Sequence, residues 1–212
     1  MDEASIAERR QDRWDALAAI VLALAAVLSA WAAYQSTRWS GEQANAYAES
    51  AALRAAAGQH GTAASRQIQI DVSTFLGWSE AVAAGDAARA TFIRERMRTE
   101  FQPAFDAWLA TAPDPATPPK DTPFTRPEYV LAEQTQADAL NAAADERLAD
   151  AQEHNQIADD FVLVAVVFAS VLFVAGIASR FRQARIRGGL SLLAAGLFCA
   201  GVVLEFLLPQ NL

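Results

Sequence analysis

Apolar residues in this chain gather into three blocks, Trp14 to Tyr34, Phe161 to Ser179 and Gly188 to Leu208, whereas residues 35–160 are polar and alanine-rich. Each block has about the 20 residues that a helix needs to cross roughly 30 Å of hydrocarbon. Backbone amides cannot stay unpaired in lipid, so even Phe161-Val-Leu-Val-Ala-Val-Val, with its β-branched residues, is expected to be helical. The pattern predicts an all-α protein in seven segments: an N-terminal segment 1–13, span 14–34, a helical domain 35–160, span 161–179, a link 180–187, span 188–208 and a tail 209–212.

Within 35–160 four helices are expected. The first continues from the membrane through Ala57 and breaks at Gly58-Gln59-His60-Gly61, a glycine pair suited to a turn. The second, from about Thr62 to Ala84, has Ile68, Val72, Phe75, Leu76 and Val82 at helical spacing and ends at Gly85-Asp86. The third, about Asp86 to Ala110, carries Phe92, Ile93, Met97, Phe101, Phe105 and Trp108 on its apolar side, with a kink expected at Pro103. A proline-rich loop follows over 111–126, and helix resumes near Pro127, a first-turn proline, running unbroken into the second span. Laid end to end, these predict an up-down antiparallel four-helix bundle continuous with spans 1 and 2.

Small residues suggest how such a bundle packs. Val130, Ala137, Ala144, Ala151 and Ala158 recur every seven residues, and Ala44, Ala48, Ala51, Ala55 and Gly58 form a similar stripe. Small side chains at a heptad seam let helices approach closely, leaving the second and third helices to supply the large core side chains.

Charge adds an orientation. Arg9, Arg10 and Arg13 precede the first span, and Arg180, Arg182, Arg185 and Arg187 fill the link between the second and third. The positive-inside rule puts both sets in the cytoplasm, so the N-terminus is expected inside, and residues 35–160 and the C-terminus outside. Arg9-Arg10, the apolar run and Ala30-Trp31-Ala32 also imitate a cleaved secretory signal. The length of the run and the helical pattern beyond it favour retention as a span.

At 53% apolar and 20% charged, the 212-residue composition fits a membrane protein better than a soluble one. Its net charge of −8 resides in the middle segment, where 10 Lys and Arg face 19 Asp and Glu for a net of −9. No basic face is available for nucleic acid. The single cysteine, Cys199, lies in the third block, so neither an intramolecular disulfide nor a cysteine zinc set is possible.

The candidate chemistry is sparse. Trp14 and Trp31, 17 residues apart or about 25 Å of helix, are placed to anchor span 1 at its two interfaces. Tyr34, Gln35, Arg38, Trp39 and Glu42 follow at spacings of three and four, so most share a face just beyond the lipid. At the same height in the third span stands Glu205. A carboxyl group there must be protonated, paired or wetted, and a hydrogen bond to it from Gln35, Tyr34 or Arg38 is expected, with snorkelling to the headgroups as the alternative. Asp150, Glu153, His154, Asp159 and Asp160 form an acidic collar that is expected to be a hydrated surface rather than a divalent-cation site.

Hydrolase, phosphate-loop, dinucleotide and HExxH patterns are absent from the sequence, so neither an enzyme nor a cofactor is expected. Small residues at Ser191, Ala195 and Cys199, and at Gly196 and Ala200, suit helix packing or homo-oligomerisation in the bilayer. The stretch Trp31-Ala-Ala-Tyr-Gln-Ser-Thr-Arg-Trp, with Leu172-Phe-Val-Ala-Gly-Ile-Ala-Ser, resembles a group of uncharacterised bacterial three-span membrane proteins. That resemblance implies a bacterial plasma membrane and no activity. The function expected is a non-enzymatic membrane scaffold or binding protein that presents an acidic helical domain outside, to a membrane-protein partner or a second copy. The alternative is an oligomeric cation channel or transporter subunit.

Overall fold

The computed structural model describes residues 3–112, 119–181 and 183–211, with side chains from Ala16 onward apart from Leu17 and Ala184. The side chains of Arg9, Arg10, Arg13 and Trp14, all of Arg182, and positions 113–118 of the proline-rich loop lie outside the described residues. Among those described, five α-helices follow in order: α1 Glu3–Ala83, α2 Ala87–Arg94, α3 Gln102–Leu109, α4 Ala132–Ala178 and α5 Ala184–Leu207, with a 3-10 turn at Pro123–Thr125 before α4. Parts of α1 and α4, and α5, are long and apolar enough to cross a membrane, so the all-helical, three-span expectation stands. The chain divides into two units, one of residues 1–48 and 147–212, the other of residues 49–146.

The expected turn at Gly58–Gly61 is absent. Helix α1 runs straight through it, and the reversal on which the up-down-up-down four-helix bundle rested goes with it. Glycine in a helix costs only about 1 kcal/mol relative to alanine, and buried Ala57 and Ala64 on either side hold the helix in place. Helix α1 stops instead at Gly85, whose φ of 71° is the left-handed conformation that glycine adopts without penalty. Asp86 N–H donates to the Ala81 carbonyl and Gly85 N–H to that of Val82, a Schellman end. The Asp86 carboxylate then accepts from Arg89 N–H and caps α2.

One seven-residue frame sets the buried face of α1. Ala25, Ala32, Trp39, Ala46, Leu53 and His60 hold one seam position, and Ser29, Ser36, Gln43, Ser50, Ala57, Ala64, Asp71 and Trp78 the other; all are buried or half-buried. The predicted stripe of Ala44, Ala48, Ala51, Ala55 and Gly58 is exposed. On α4, Ala137, Ala144, Ala151 and Ala158 are buried as expected, whereas Val130 lies before the helix and is exposed. Polar seam residues reach across to antiparallel α4. In the first unit Ser29 Oγ donates to the Ala165 carbonyl at 3.4 Å and Gln43 Nε2 to Asn155 Oδ1 at 2.9 Å. In the second, Ser50 Oγ donates to the Ala144 carbonyl at 2.8 Å, and His60 Nδ1 lies 2.6 Å from Glu133 Oε2.

In the second unit, residues 86–110 form two short helices, not one. Pro103 does not kink a helix but sits in the first turn of α3, where its missing N–H removes no bond. Pro127 likewise lies in a turn, and α4 starts at Ala132. The core is aromatic: Trp78, Met97, Phe101, Phe105 and Trp108 are buried, with Phe75, Ile93, Phe124 and Tyr129 packed against them. Phe92, Ile68 and Leu76, predicted for this core, are exposed.

In the first unit, Ala25 and Ala32 of α1 pack with Phe161, Val164, Phe168 and Val171 of α4. Helix α5 comes so close that a Cβ at Gly201 would stand 2.9 Å from Phe168 Cε1. Leu192, Leu193, Phe206 and Leu207 of α5 are exposed, as a lipid-facing surface requires.

Candidate functional site

The stretch Trp31 to Trp39 meets the residues that follow α5. Proline lacks an N–H and restrains its predecessor to extended backbone; Leu208, just before Pro209, is extended and ends α5. Residues 209–211 then form a strap held by α1. Trp39 Nε1 donates to the Pro209 carbonyl at 3.0 Å, Trp31 Nε1 to Gln210 Oε1 at 3.0 Å, and Arg38 Nη2 to Asn211 Oδ1 at 3.2 Å. Asn211 N–H donates to Gln35 Oε1 at 2.9 Å. Gln210 Nε2 turns back onto the Glu205 carbonyl at 2.9 Å.

Four of the predicted residues therefore converge, but on the strap and not on the Glu205 carboxyl group. Glu205 is 2% exposed and Gln35 fully buried, yet both Glu205 carboxyl oxygens and Gln35 Nε2 lack a hydrogen-bond partner among the described residues. The expected bond from Gln35, Tyr34 or Arg38 to that carboxyl group is absent, and burial rules out snorkelling. Tyr34 faces outward, its ring 5.5 Å from that of Trp31. Glu42 is half-buried a turn beyond Arg38. Arg180, Arg185 and Arg187 flank the α4–α5 connection, the first two exposed and Arg187 half-buried.

His154 belongs beside the cluster, since its ring lies 5.2 Å from the Trp39 ring and its buried Nδ1 has no partner. The other collar residues stay at the surface: Arg147 pairs with Asp150 at 3.2 Å, and Asn155 Nδ2 donates to Asp159 at 3.3 Å. Among the described residues no three His, Cys, Asp or Glu side chains are grouped to hold a metal ion.

A second buried polar centre, which sequence reasoning missed, lies in the unit of residues 49–146. Asp71, 1% exposed, accepts from Arg98 Nε and Nη2 at 2.9 Å each and from the Tyr129 hydroxyl at 3.0 Å. The hydrogen bond to Asp71 raises the Arg98 pKa against the opposing effect of burial. Burial first, and then the Asp71 charge, raise that of Tyr129. With both carboxylate oxygens satisfied, the triad is a staple fastening residues 98 and 129 to α1.

The missed residues left faint traces in the sequence. Asp71 is a charged residue at a seam position of an amphipathic helix, and Pro209-Gln210-Asn211 is a proline followed by two amides at the height of Trp31 to Trp39. Compared with known protein families, curated proteins and solved structures, the chain finds no match.

Proposed function

We propose that the chain is a non-enzymatic scaffold or binding protein of a bacterial plasma membrane, which holds its acidic helical unit outside, with the N-terminus in the cytoplasm and the C-terminus outside. One observation carries this: α1 and α4 each hold apolar span and polar unit in a single uninterrupted helix. The polar unit, with 8 Lys and Arg against 14 Asp and Glu over residues 49–146, is thus carried directly by membrane helices. Its buried polar groups at Asp71, Arg98 and Tyr129 satisfy one another, as in a packed presenting surface rather than a reactive cleft. Arginines before α1's apolar stretch and between α4 and α5 support the orientation.

Lys120, the only lysine in the chain, is exposed and tests it. A membrane-impermeant amine-reactive biotin reagent applied to intact spheroplasts should label the wild type and leave Lys120→Arg unlabelled, its N-terminal amine being on the cytoplasmic side. Labelling of Lys120 that appears only after permeabilisation inverts the topology and removes the proposed role.

A further inference from the structure

The first unit holds a buried carboxyl group, Glu205, that has no hydrogen-bond partner among the described residues. Glu205 lies on the same α5 face as Gly201, one turn earlier, whose Cα approaches Phe168 of α4. On α1, Gln35 is fully buried with its oxygen occupied by Asn211 N–H. The unpartnered atoms of Glu205 and Gln35 are two carboxyl oxygens and one amide nitrogen. A carboxylate cannot rest in such surroundings without compensation.

Among the described residues nothing supplies it. Glu205 is the only ionisable residue of span 188–208 apart from Cys199. Arg38, on α1, directs its guanidinium to Asn211 Oδ1. His154, on α4, sets its ring at a tilt against that of Trp39 and makes no hydrogen bond to Glu205. A divalent ion would leave an excess positive charge on a single carboxylate. Beside it runs the strap, tied to the Glu205 carbonyl by Gln210 and fastened by four hydrogen bonds from α1 side chains or to them.

We propose that Glu205 is a buried exchange site for one positive charge, a proton or an alkali-metal cation, covered by the 209–211 strap. Gln35 Nε2, which makes no direct bond to the carboxyl group, is the donor for a water beside it. The site does not depend on which way the protein faces, so it can fail while the proposed topology stands, and the reverse.

Infrared difference spectra of the full chain in lipid vesicles, wild type minus Glu205→Gln, decide it. A carboxylic-acid C=O band at neutral pH in sodium-free buffer, converting to carboxylate as the pH rises, identifies a proton. A carboxylate band that shifts saturably with added sodium or potassium chloride identifies the cation. A carboxylate band at neutral pH indifferent to proton, sodium and potassium overturns the proposal. So does a marked loss of thermal stability or of folding in Glu205→Gln, because a neutral amide of the same shape should be tolerated. For the cover, Gln210→Ala removes the bonds to Trp31 and to the Glu205 carbonyl. It should speed the response of the Glu205 band to a deuterium or sodium jump by about an order of magnitude; an unchanged rate refutes the covering role.

Discussion

Replacing Arg98 with methionine is the sharpest test of the unit of residues 49–146. The substitution keeps the apolar stem and removes both N–H···O bonds to Asp71, leaving a 1%-exposed carboxylate with only the Tyr129 hydroxyl. Breaking a buried pair from one side costs about 3–5 kcal/mol, mostly the penalty of an uncompensated charge. At 1.4 kcal/mol per decade that is a loss of hydrogen-exchange protection of about two to three and a half orders of magnitude. Peptides from residues 95–110 and from the α1 segment around Asp71 should show it, read by mass spectrometry on the full chain in detergent. Converting the partner as well, in Asp71→Leu with Arg98→Met, should restore much of the protection, since apolar replacement of a whole buried pair is often neutral. A single variant that loses less than about ten-fold, or a double variant no better than the single, would refute the account of this triad as an ion pair held by mutual need.

Other expectations follow from the same geometry. Tyr129 holds its proton more tightly folded than unfolded, so its contribution is complete below the unfolded value near pH 10 and fades as pH rises above it; Tyr129→Phe should flatten the alkaline limb of a thermal-melt series. Alanine at Gly58 or Gly61, where a Cβ meets nothing within 4 Å, should stabilise α1 by about 1 kcal/mol each, whereas Gly85→Ala should destabilise by about 1 kcal/mol or more; equal effects in chemical denaturation would deny the continuous helix. Gly201→Val drives a methyl-bearing carbon into the Phe168 ring and should cost about 1–3 kcal/mol, seen as earlier thermal release of α5 in detergent.

The apolar spans, the stop at Gly85-Asp86 and the aromatic core residues Phe75, Phe101, Phe105 and Trp108 were legible in the sequence because each is a local signal. What failed needed a partner. Alanine occupies so many positions from Ala44 to Ala57 that several α1 faces look equally small, and the true seam is disguised by Gln43, Ser50, His60 and Asp71. These polar residues are buried only because Asn155, the Ala144 carbonyl, Glu133, and Arg98 with Tyr129 stand opposite. Gly58 and Gly61 read as a turn for the same reason: local propensity is weak beside packing on both sides. At the candidate site, the aromatic and polar face of α1 was legible. Its destination was not, because residues 209–211 lie some 170 positions away along the chain, as in the Trp39 to Pro209 bond.

The unbroken seven-residue frame of α1, from Ala25 to Ala81, has an evolutionary cost. A residue inserted or deleted along it turns everything downstream by about 100°, and one placed before Ser50 swings Ser50, His60 and Asp71 away from their bonds together. Length variation in descendants of this chain should therefore be confined to the connections at 84–86, 95–101, 110–131 and 179–183, while the long helix changes its letters and never its count.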